Sequence, residues 1–96
     1  MNGARGEATA VLAGAQRRLC LTLGALAEIE TALGATGLAD LAGRMRRLSA
    51  GDLMKVLAAL LRGGGETALA EELARAVDPR EAAEAVAAAF AAAFDG

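Results

Sequence analysis

The sequence predicts a mainly α-helical fold in which a short N-terminal β-hairpin precedes about five short helices. Three observations carry that prediction. Of the 96 residues, 27 are Ala and 15 are Leu, and both types favour helix. From about Leu23 onward, apolar residues recur at spacings of three and four, the helical period. Just before that point the period is two, with Leu19, Leu21 and Leu23 alternating with Cys20 and Thr22, as in a strand. Phe90 and Phe94 are the only aromatic residues, too few for an ordinary all-β sandwich.

A chain of this length suits one domain. A core so thin gains from a partner or from self-association, so homo-oligomerisation stays open. Residues 1–6 include Gly3 and Gly6 and little to anchor them, so they read as frayed. Residues 7–22 read as the hairpin. Thr9 and Val11 fall in its first strand, Gly14 supplies the turn, Gln16, Arg17 and Arg18 form the polar exit, and the alternating Leu run forms the second strand.

Residues 23–62 hold three helices. Leu26, Ile29 and Leu33 line the first, and Gly34 stops it. After a Thr36-Gly37 link, Leu38, Leu41, Ala42, Met45 and Leu48 share one face of the second, with Asp40, Arg44 and Arg47 on the other. Ser49 and Asp52 form a capping-box-like pair that opens the third, and Leu48 can staple onto Leu53. Its buried stripe is Leu53, Val56, Leu57 and Leu60, and Arg62 suits the last turn. Gly63-Gly64-Gly65 ends the helix and reads as a flexible link, the one plausible internal hinge.

Residues 66–95 hold the remaining two helices. Leu69, Leu73 and Val77 mark the fourth. Asp78 is the N-cap of the fifth, Pro79 its first helical residue and Glu81 completes the box. That last helix presents Val86, Phe90 and Phe94 at successive spacings of four, flanked by Ala82, Ala89 and Ala93.

Candidate chemistry is sparse. The net charge of −2 gives no electrostatic case for nucleic acid or an anionic membrane, and the arginines read as solvated faces and strand ends. The single cysteine, Cys20, has no intrachain partner and reads as a buried structural thiol. The apolar run Ala85–Phe94 is about half the length of a membrane span, and no signal peptide is visible, so a cytoplasmic protein is expected. The absence of His removes the commonest general base and metal ligand. Glu28, Glu30, Glu71 and Glu72 fall on polar helix faces. Glu66 follows the triple glycine where a phosphate loop needs Lys and Ser or Thr. The expectation is therefore a non-enzymatic protein with no catalytic, cofactor-binding or metal-binding residues. Val86, Phe90 and Phe94 are the first candidates for partner contact, because a helix-in-groove site uses anchors at this spacing. Leu21 and Leu23 on the hairpin are the second.

The stretch Leu19-Cys20-Leu21-Thr22-Leu23-Gly24-Ala25-Leu26-Ala27-Glu28-Ile29-Glu30 resembles the L-x-L-T-x-G-A-L-A-E-L-E core of the gene transfer agent tail protein family. Leu48-Ser49-Ala50-Gly51-Asp52-Leu53 followed by Leu60-Leu61-Arg62-Gly63-Gly64-Gly65 resembles that family's L-S-x-x-D-L and L-R-G-x-G passage. The likeness covers about two thirds of the chain, and Ala15-Gln16-Arg17 departs from the family's Gly-rich, aromatic-bearing turn. The resemblance implies a role in the tail of a phage-derived particle. Its members carry tail tube labels, but tube subunits are built on a β-sandwich, which one hairpin cannot supply. The expectation is a tail assembly chaperone that binds the tape measure protein and helps recruit tail tube protein. The alternatives are a minor structural tail component and a generic helical adaptor module.

Overall fold

Alternation of small or apolar residues with polar ones starts the chain as a hairpin. A computed structural model describes residues 7–68 and 70–94. Strands β1 (Glu7–Leu12) and β2 (Ala15–Cys20) pair antiparallel, from Glu7 opposite Cys20 to Leu12 opposite Ala15. Ala13 and Gly14 form a two-residue turn, both with positive φ, 53° and 83°. That is the type I′ arrangement, whose twist matches the flanking strands. Ala8, Ala10 and Leu12 share the inner face with Ala15, Arg17 and Leu19, and Leu12 and Leu19 are fully buried. Gln16, Arg17 and Arg18 are therefore ladder residues of β2, a correction to their reading as the turn's exit. The two-residue turn is too short to include them.

The hairpin ends earlier than the period-two pattern implies. β2 stops at Cys20, and Thr22 caps the first helix, its Oγ1 accepting the Ala25 N–H at 3.0 Å. Leu23 thus opens α1 (Leu23–Leu33) and does not lie on the hairpin. Gly34 closes α1 in the left-handed region with φ 67°, and the Ala35 N–H returns to the Glu30 carbonyl at 2.9 Å. Next come α2 (Leu38–Met45), α3 (Ala50–Gly63), α4 (Ala70–Ala76) and α5 (Pro79–Phe94). The expected architecture of hairpin and then five helices is the one found.

Caps set these boundaries. Ser49 Oγ accepts the Asp52 N–H at 3.0 Å, and Asp78 Oδ2 accepts the N–H groups of Arg80 and Glu81 at 3.1 and 3.2 Å, each satisfying donors that a helix start leaves unpaired. α2 has no side-chain cap at Gly37. It is tied down by Arg44, whose Nη1 donates to the Leu33 carbonyl and whose Nε donates to Asp40, both at 3.0 Å.

α3 is the hub. It packs against α1, α4, α5 and β2, and Val56 through Leu61 are all buried. This widens the expected stripe, because neighbours on several sides bury Ala58, Ala59 and Leu61 as well as Val56, Leu57 and Leu60. Leu53 is only half-buried. β1 lies along α5, so the hairpin covers the core where α3 and α5 meet.

The triple glycine is not the open link the sequence suggested. Gly63 still belongs to α3. A Cβ there would collide with the Cys20 carbonyl oxygen, and one at Gly64 would collide with that of Arg18. These two glycines let a helix end press directly on a strand backbone. Leu73 and Val77 are buried as expected. Leu69, the frayed reading of residues 1–6, and Asp95 lie outside the described residues.

Candidate partner-binding groove

The one-sided faces read from α2 and α5 meet across a groove. Leu38, Leu41, Ala42 and Met45 form one wall, and Ala83, Val86, Ala87, Phe90 and Phe94 form the other. Leu48 and Leu53 complete a space of about 800 Å³ with no charged side chain in its lining. The staple pair expected at the start of α3 is thus part of this surface. The groove stays open because Ala42, Ala83 and Ala87 are too short to fill it.

Exposure is graded from floor to lip. Leu41 and Val86 are 2% and 4% exposed, whereas Leu38 and Phe94 reach 56% and 59%. Phe90 lies between, packed against the core, and its ring sits 6.2 Å from that of Phe94 at a 36° tilt, within the favourable range for aromatic pairs. Most large apolar side chains of a small domain are covered, so paired bulky groups at two facing lips mark a surface suited to another chain.

Of the candidates drawn from the sequence, Val86, Phe90 and Phe94 come together in this groove. Leu21 and Leu23 do not line it. Leu21 follows β2, half-buried against the core, while Leu23 is 82% exposed at the start of α1. Sequence reasoning missed the opposite wall. The apolar face of α2 was legible, but no local signal pairs Leu38 with Phe94 across more than fifty residues.

The polar groups away from the groove hold elements together. Arg62 donates to Glu28 Oε1 of α1 through Nη2 at 2.6 Å and Nε at 3.1 Å, and its Nη1 lies 3.9 Å from Glu71 of α4. Asp40 accepts the Thr36 N–H at 2.9 Å. That bond, followed by the hydrogen bond from Arg44, holds its carboxyl below the usual aspartate value. Cys20 is half-buried rather than buried, because its strand position faces outward beside Glu7. Partial burial, and then the Glu7 charge, push its thiol above the ordinary value. Among the described residues, no group of three or more acidic, Cys or His side chains gathers as a metal site, and no helix is long and apolar enough to cross a membrane.

A family model described as "Phage tail tube protein, GTA-gp10" matches residues 5–96. The chain belongs to this gene transfer agent tail family. The match takes in both groove walls as well as the Leu19–Glu30 stretch, so the C-terminal helices fall within the family's extent. No curated protein and no solved structure gives a significant match. Among the described residues, the sheet of this family member is two-stranded.

Proposed function

We propose that this gene transfer agent tail protein is a non-enzymatic assembly chaperone. In this reading it covers apolar helical stretches of the tape measure protein in the cytoplasm until tail tube protein polymerises around them. The uncharged, open groove between α2 and α5 carries the reading. A tape measure is a long helical chain that would aggregate if its apolar stripes were bare. Many weak contacts from a small protein can shield such a chain together, yet each remains easy to displace. The absence of His and the structural ties of Arg62 and Asp40 favour a holding role over catalysis.

The test is co-expression of the tagged chain with the tape measure protein of the same particle. Phe90→Ala with Phe94→Ala is expected to abolish co-purification, but Phe90 also touches the core. Leu38→Asp with Phe94→Asp is sharper, since both side chains are more than half exposed and the fold should persist. Undiminished capture by a folded Leu38→Asp/Phe94→Asp protein would overturn the reading.

The family description favours a second reading, a minor structural component retained in the tail. Mass spectrometry of purified particles separates the two, since stoichiometric retention supports the structural role and loss supports the chaperone. If the chain captures neither tail protein and is missing from particles, a generic helical adaptor remains.

A further inference from the structure

We infer that the groove between α2 and α5 accepts a single amphipathic helix of about three turns, with an uncharged contact face and acidic flanks, rather than a second copy of this chain. The inference rests on the chaperone reading for its biological partner, but its physical content stands on the groove.

Size selects the occupant. From Ala83 to Phe94 the α5 wall runs about 17 Å at 1.5 Å per residue, which is about three helical turns. Eleven residues line the groove, whereas a stable dimer engages roughly 20–30 on each side. A single helix matches that length and footprint.

Shape sets the contact period. Ala83 and Ala87 are one turn apart on α5, with Ala42 on the facing wall. These small residues leave room for large side chains repeating at one-turn intervals on the incoming helix, at i, i+4 and i+8 or the i+7 equivalent. The larger Val86, Phe90 and Met45 then pack between those anchors.

Charge sets the flanks. Arg46, the C-cap residue just past α2, follows Ala42 by four residues, and Arg80 precedes Ala83 by three on α5, so each flanks its wall in sequence. Neither joins an ion pair among the described residues. Against Glu84, one turn beyond Arg80, these two arginines leave the flanking positions of α2 and α5 with one net positive charge. Carboxylates beside the occupant's apolar stripe meet that charge favourably, while ammonium groups do not.

Three labelled 16-residue peptides test this by fluorescence anisotropy against the full chain. The first carries Leu at one-turn intervals flanked by Glu, the second has the same composition in a period-two order, and the third replaces Glu by Lys. The helical-period Glu peptide is expected to bind at least tenfold tighter than the period-two peptide. It should bind about twofold to fivefold tighter than the Lys peptide, the range of rim ion pairs, and lose at least tenfold against Leu38→Asp/Phe94→Asp. Equal binding of the two orders, or unchanged binding to that variant, overturns the inference. So does a stable dimer in sedimentation that excludes the peptide. Peptide binding without tape measure capture would sink the chaperone reading alone. Tape measure capture that the groove substitutions abolish, with no peptide binding, would sink this inference alone.

Discussion

Gly63, at the end of α3, lies against the carbonyl of Cys20, at the end of β2, with no room for a Cβ between them. The contact joins the last turn of the central helix to the backbone of the hairpin. Gly63→Ala would gain about 0.5–1 kcal/mol of intrinsic helix propensity, yet the overlap is with backbone, and overpacking costs about 1–3 kcal/mol or more. Because the overlap is with backbone, the cost falls at the upper end, and a net destabilisation of about 2 kcal/mol is expected in urea unfolding. Gly43 supplies the contrast, since a Cβ there meets nothing within 4 Å and the residue sits inside α2. Gly43→Ala should stabilise by up to about 1 kcal/mol. Equal effects from the two substitutions would refute the contact.

The turn offers a second test. Ala13 holds φ 53°, a region that costs an L-residue about 1–2 kcal/mol and that type I′ turns fill with Asn or Gly. Ala13→Gly and Ala13→Asn should each raise the melting temperature, with a gain of about 0.5–1 kcal/mol. A loss of stability would mean that the turn takes another form.

Asp40 predicts a pH dependence. Its folded carboxyl titrates below the unfolded value, because Thr36 and Arg44 hydrogen-bond the charged form. The stabilisation is therefore present above the unfolded value of about 4 and is lost as pH falls through the lower folded value. Melting temperatures of the wild type and Asp40→Asn should differ at pH 7 and converge towards pH 3. A constant gap would contradict the assignment.

Cys20 predicts a reactivity. With its thiol raised by burial and by Glu7, less thiolate is present at pH 8 than in a free cysteine. Alkylation of the native protein should be slower than that of a small thiol. It should accelerate once urea unfolds the chain, and Glu7→Gln should speed the native reaction modestly.

The parts of the fold legible in the sequence were those written locally. Ser49 and Asp78 announced helix starts because an N-cap is a short-range hydrogen bond, and both make it. Gly34 announced a stop through its left-handed backbone. The Leu19, Leu21 and Leu23 alternation misled because a strand, a cap and the first turn of a helix can share a period of two for five residues. The Thr22 cap decided in favour of the helix. The all-round burial of α3 was hidden because Ala58 and Ala59 fit either a surface or a core. For the groove, the wall on α5 was visible as a stripe at spacings of four, while its closeness to α2 arises only in the folded chain, where α5 packs on α3 and α2 on α1.

Phe90 and Phe94 are the only aromatic side chains in the chain, and both belong to the groove. Once the amide protons have been exchanged in deuterated water, their ring protons therefore stand alone in the spectrum and report on this groove. Any peptide free of aromatics that seats there must disturb those signals, so occupancy can be followed without an isotope label or an engineered probe.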